Sequence, residues 1–207
     1  FDGNYKIECY PSEQIRLNYE LKPWNLSDER YEFTWTSSNP NVATVDENGL
    51  VTAESEGKAR ITLQIKIDGK TSLLAARLAV EVKSEFIIEN RTLVAYKGKG
   101  GDVVIPDDEG ILYIGAYAFS HFILDNKKEV EKDENGYYDL DDKKTPIGNN
   151  TVTSVVIPED VETIEKYAFY NCTKLPSVTL PSTCKTIGAF AFEKCTALEN
   201  INLDRVK

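Results

Sequence analysis

Between Tyr5 and Val82 apolar and polar residues alternate along several short stretches, the period of strands with one buried face. Ile15, Leu17, Tyr19 and Leu21 alternate with Arg16, Asn18 and Glu20, and Phe33 and Trp35 do the same within Tyr31 to Thr36. Ser37-Ser38-Asn39-Pro40 ends that strand, because Pro40 lacks a donor and small polar side chains bond their own backbone. Val42 and Val45 restart it, and Asn48-Gly49 reads as a tight hairpin turn. Ile61, Leu63, Ile65 and Ile67 form a further run closed by Asp68-Gly69, and Leu78, Val80 and Val82 supply a last strand. The pattern predicts a sandwich of antiparallel strands over residues 1–83, with Trp35 in its core.

Beyond it, the governing signal is repetition. Ser154 to Pro176 and Ser177 to Glu199, offset by 23 residues, share ten identities, where ordinary usage gives roughly one or two. The offset continues through Ile157, Leu180 and Leu203, and through Val155, Val178 and Ile201. A partial copy lies upstream in Ile105-Pro106 and Ile114-Gly115-Ala116-Tyr117-Ala118-Phe119, and another begins at Asn200. A repeat of this length predicts a short solenoid of the leucine-rich class, mainly β, with a strand and a short helical turn in each coil. Phe119, Phe169 and Phe192 are expected to stack as a ladder through its core. The whole unit is placed at 84–207, with an insertion at about 121–150.

Composition narrows the function. Against 24 basic residues stand 34 acidic ones, a net charge of -10 that repels phosphate backbones and anionic membranes, so nucleic acid is not an expected partner. The longest apolar stretch, Leu73 to Val80, is interrupted by Arg77 and is too short to span a bilayer, so no membrane insertion is expected. The four cysteines, Cys9, Cys172, Cys184 and Cys195, form no C-x-x-C pair and flank no histidine at metal-ligand spacing, so no zinc site or cofactor is expected. The sequence opens at Phe1 without a basic-then-apolar leader, so export is inferred from resemblance.

Two resemblances are carried by long motifs. The stretch W-T-S-S-N-P-N-V-A-T-V-D-E-N-G-L-V-T-A, Trp35 to Ala53, followed by Glu56-Gly57-Lys58-Ala59-Arg60-Ile61-Thr62, closely resembles the bacterial Ig-like domain of group 2. The repeats resemble BspA-like leucine-rich repeats, I-P-x-x-V-x-x-I-G-x-x-A-F-x-x-C-x-x-L, departing from that unit at Cys184 and Glu165. The lead-in Phe86 to Pro106 looks like the segment that opens such arrays, and residues 84–106 would form a hairpin capping the first exposed edge. Together the resemblances imply an extracellular or cell-surface location in a bacterium and a secreted adhesion or host-interaction module binding protein or glycan. The alternative is an architectural stalk of a larger surface protein.

Each candidate site has a plain structural reading beside it. Glu131, Asp133, Asn135, Asp139 and Asp142 fall at the oxygen-ligand positions of a calcium loop with Gly136 at its turn, though glutamate first and aspartate last depart from that pattern. The competing reading is a solvated hairpin turning at Asn135-Gly136. Cys172 and Cys195 occupy equivalent places, with Phe122 at the same place upstream; buried free thiols are expected, a disulfide between coils being the alternative. His121 is expected at the surface, and no catalytic residue is expected, because no nucleophile with an orienting partner can be assigned around it. Gly98, Gly100 and Gly101 lack phosphate-loop spacing. What remains is the exposed face of the repeat strands: Ser154, Val156, Ser177, Thr179, Asn200 and Asn202, a shallow surface for a protein or glycan on an expected monomer.

Overall fold

The computed structural model describes residues 5–18, 31–67, 70–121, 147–203 and 206, with the backbone alone at 67, 70–75, 121, 147 and 148. The chain divides into two compact units, Phe1–Glu85 and Phe86–Lys207. Every regular element among the described residues is a strand.

The first unit contains β1 (Lys6–Cys9), β2 (Gln14–Arg16), β3 (Tyr31–Ser37), β4 (Ala43–Val45), β5 (Leu50–Ala53), β6 (Gly57–Ile67) and β7 (Lys70–Val82). They form one sheet in the order β1-β7-β6-β3 and another in the order β2-β5-β4. The alternation seen in the sequence sets the faces: Ile61, Leu78, Val80 and Val82 from the first sheet and Ala43, Val51 and Ala53 from the second are buried in one core. Trp35 is half-buried and packs against that core. The turn at Asn48-Gly49 forms as the dipeptide suggests. Gly49 has φ of 76°, and Asp46 Oδ1 accepts from the amides of Asn48 and Leu50 at 2.9 and 2.7 Å. A side chain on Gly49 would also meet the Trp35 ring, with Cβ 2.9 Å from Cζ2.

The second unit contains β8 (Phe86–Glu89), β9 (Thr92–Tyr96), β10 (Gly101–Val104), β11 (Tyr113–Ile114), β12 (Ser120–His121), β13 (Ile147–Gly148), β14 (Val152–Val156), β15 (Thr163–Ile164), β16 (Ser177–Val178), β17 (Thr186–Ile187) and β18 (Asn200–Ile201). One sheet runs β17-β15-β11-β9-β8, parallel throughout except for the β8–β9 hairpin at its edge. On a second side β10 pairs with β14 and β16 with β18, all parallel, and the bridge Val156↔Thr179 links the two pairs. Equivalent residues of successive repeats therefore stand in register. Leu93, Ile114, Ile164 and Ile187 form one inward row, and Val103, Val155, Val178 and Ile201 form another.

The aromatic ladder runs between these rows. Phe119 and Phe169 stack at 4.6 Å between centroids, and Phe169 and Phe192 at 5.2 Å with an interplanar angle of 4°. Tyr96 stacks on Phe119 at 5.1 Å and Phe86 lies 5.4 Å from Tyr96, so the hairpin ends the ladder with its own aromatics. Such a ring contact adds about 0.5–1.5 kcal/mol beyond area burial.

The short helical turn expected in each coil is replaced by two consecutive tight turns. Ala118, Ala168 and Ala191 donate to Gly115, Glu165 and Gly188, three residues back, at 3.1, 3.3 and 3.2 Å. Their preceding residues, Tyr117, Tyr167 and Phe190, have φ of 59°, 59° and 61°, the positive value that a type II turn requires at its third position. A second left-handed residue follows at Asn171 and Lys194, with φ of 58° and 61°. A right-handed helix cannot pass through these positions, so no helical segment forms there. The insertion leaves and rejoins the coil through β12 and β13, which pair antiparallel, Ser120 with Gly148 and His121 with Ile147. The calcium candidates Glu131, Asp133, Asn135, Asp139 and Asp142, and Phe122, lie outside the described residues.

Candidate binding face

The outward positions of β10, β14, β16 and β18 make two parallel rows. Alternation along each strand sends Val103, Val155 and Val178 inward, so their neighbours must face out. One row is Asp102, Ser154, Ser177 and Asn200, and the other is Val104, Val156, Thr179 and Asn202. Val104 is 63% exposed and Val156, its direct neighbour, 56% exposed. Two adjacent valines so open to water are the largest apolar feature of the strip, and branched chains placed side by side form a firm contact surface with little rotamer freedom to lose.

The polar residues of the strip are partly used in holding the coils together. Ser154 is half-buried, and its hydroxyl donates to Asp102 Oδ1 at 2.7 Å, while Thr153 reaches the same oxygen at 3.2 Å. Asn202 imitates a strand: its Oδ1 accepts from the Leu180 amide at 2.7 Å and its Nδ2 donates to the Leu180 carbonyl at 3.1 Å. Ser177 and Asn200 are exposed register partners, and Thr179 is exposed beside Val156. Of the six residues named from sequence, then, five are exposed and Ser154 is half-buried. Sequence reasoning missed Asp102 and Val104, although Val103-Val104-Ile105-Pro106 matches Val155-Val156-Ile157-Pro158 and carried the signal.

Other polar contacts fasten one repeat to the next. Glu159 Oε2 accepts from the amide and hydroxyl of Ser182 at 2.9 and 2.8 Å, Thr183 donates to the carbonyls of Glu159 and Val161, and Lys185 pairs with Glu162 at 3.1 Å. At Glu165, where the repeat unit has glycine, the carboxylate accepts from the Ala116 amide of the preceding repeat at 3.0 Å. Gly188 has no such latitude, because a Cβ there would lie 2.4 Å from the Lys166 nitrogen.

All four cysteines are free and buried. Burial pushes the thiols of Cys9 and Cys184 above their ordinary value. Among the described residues no cluster of histidine, cysteine or carboxylate side chains could hold a metal ion, and no helix is long and apolar enough to cross a membrane. The side chain of His121 is outside the described set.

Comparison with known proteins agrees with this division. Residues 11–74 match the family model of the bacterial Ig-like domain (group 2), and residues 147–207 that of the BspA type leucine rich repeat region (6 copies). Over 51 residues the chain is 35% identical to the polysaccharide lyase 8 family protein HylA of Enterococcus faecalis, covering 25% of this chain and 4% of that protein. Over 50 residues it is 52% identical to the uncharacterized protein YjdB of Bacillus subtilis, covering 24% of this chain and 38% of that protein. Both families are typically non-catalytic and typical of cell-surface or extracellular proteins. The chain carries a bacterial Ig-like domain of group 2 followed, in that order, by a BspA type leucine rich repeat region.

Proposed function

We propose that this chain is a non-catalytic adhesion or host-interaction module of a bacterial surface protein. Its repeat unit binds a protein or glycan, and its Ig-like unit acts as a spacer. The supporting observation is the strip centred on Val104 and Val156, apolar and open to water, with Asp102, Ser177, Thr179 and Asn200 around it. Exposed apolar contact framed by small polar groups suits a shallow, reversible interface more than a reaction that needs a water-excluding cleft. The chain acts as a monomer with no cofactor in this reading.

Screening the 207-residue protein against immobilised glycans, mucins and matrix proteins tests the proposal. A saturable hit that Val156→Asp abolishes supports it; saturable binding unaffected by Val156→Asp and Val104→Asp together would place recognition elsewhere. A second reading, an architectural stalk, is favoured by the use of Ser154 and Asn202 in coil-to-coil bonding, and it predicts no saturable hit.

A further inference from the structure

Cys172 and Cys195 occupy the same position in the second and third repeats, each closing the second tight turn of its coil. Their amides donate to the carbonyls of Phe169 and Phe192, both at 3.2 Å. The two turns are held one coil apart by Phe169 N–H donating to Ala191 and Asn171 N–H to Glu193, each at 2.8 Å. Backbones at this separation, about 4.8 Å, sit inside the Cα range of about 4.4–6.8 Å that a disulfide bridges. Each thiol donates to a carbonyl of the preceding repeat, Cys195 to that of Phe169 at 3.0 Å and Cys172 to that of Phe119 at 3.9 Å, so the Cys195 sulfur is directed toward the coil that carries Cys172.

We propose that Cys172 and Cys195 are a peroxide-responsive thiol pair, closed by oxidation into a disulfide that ties the second repeat to the third. The pair is asymmetric. The neighbouring Cys172 side chain holds the Cys195 thiol below its ordinary value, while Cys195 and burial push Cys172 up. Access follows the same order, since Cys195 retains 8% exposure while Cys172 is completely covered. The Cys195 thiolate therefore attacks a hydroperoxide, displacing hydroxide (from hydrogen peroxide) or alkoxide and forming a sulfenic acid. The Cys172 sulfur then attacks the oxidised sulfur, the S–O bond breaks and water leaves. Two thiols lose two electrons in all, and the peroxide oxygens are reduced. The other cysteines have no such arrangement: Cys9 belongs to the first unit, and Cys184 directs its thiol to the Thr186 carbonyl at 3.8 Å.

The test is hydrogen peroxide treatment of the folded wild-type chain, followed by alkylation and trypsin digestion without reductant. Cleavage after lysine and arginine places Cys172, Cys184 and Cys195 on the separate peptides 167–174, 175–185 and 195–205. The expected product is 167–174 joined to 195–205, lighter by two hydrogens than the sum of the free peptides. Recovery of both as alkylated or over-oxidised peptides, or joined to Cys184 or Cys9, overturns the pairing. Cys172→Ser should leave a sulfenic acid on Cys195 that dimedone traps, at several times the yield on Cys172 in Cys195→Ser. Equal or inverted labelling overturns the order of attack. The wild-type mapping decides the pairing whether or not either variant folds.

Discussion

Phe119 and Phe169 stack at 4.6 Å, with 18° between their rings, although the chain's long insertion lies between them in sequence. Phe169 and Phe192, with no insertion between them, stack at 5.2 Å. The geometry of the ladder is thus fixed by coil-to-coil bonding and not by the length of connecting chain. Phe169 is completely buried with a ring on either side, so Phe169→Ala should destabilise the second unit by about 3–5 kcal/mol. Phe192 is only partly buried, and its alanine variant should cost less. Urea titration of both variants gives the comparison, and equal losses would contradict this ordering.

Gly188 is a second checkpoint, because its missing side chain admits the backbone of Lys166. Gly188→Ala should force the third repeat away from the second at a cost of about 1–3 kcal/mol. Ala189→Ser, one residue away and exposed, should stay within about 0.5 kcal/mol of wild type by the same titration.

Asn202 predicts a milder effect. Replacing it with alanine removes two bonds to the Leu180 backbone at a partly exposed site, and about 0.5–1.5 kcal/mol should be lost. Asn202→Asp keeps the acceptor and loses the donor, so its melting temperature should fall between wild type and Asn202→Ala.

In the first unit, Lys6 bonds both Glu8, at 2.6 Å, and Glu81, and holds both carboxylates below their ordinary 4.5. In the window below 4.5 the unfolded chain binds more protons at these groups than the folded one, so stability rises with pH there. The contribution is complete above 4.5 and is lost as the pH falls through the lowered values. An acid titration of the first unit's unfolding should show this slope, and Lys6→Met should flatten it. Added salt should weaken it as well, since Lys6 and Glu8 are open to solvent.

The parts of this structure legible from sequence are those that repeat. Ser154 and Ser177 share a register because 23 residues separate every inward position of the two coils, and the same offset placed Phe169 beneath Phe192. Tyr96, Asp102 and Val104 escaped notice because the opening hairpin departs from the period, although it pairs in the same parallel register as the later strands. The left-handed turns escaped for a different reason. A bulky aromatic residue is a poor local candidate for positive φ, and at Tyr117, Tyr167 and Phe190 the type II turn that requires it is accompanied by ring contacts between repeats that no local pattern shows. Their rings stack at 5.0 and 5.2 Å, one repeat upon the next. The tie between Asn202 and Leu180 was hidden because an asparagine on an exposed strand reads equally as ligand contact or as backbone partner.

The most direct measurement is hydrogen exchange at three equivalent amides. Gly115, Glu165 and Gly188 donate to Leu93, Ile114 and Ile164 at 2.9, 2.8 and 2.7 Å, each reaching one coil back along the stack. If the repeats interlock as described, all three amides exchange slowly, and Phe169→Ala accelerates them together. Exchange of any of the three at the rate of an open peptide in the folded wild type would contradict the stack, and with it the surface it presents.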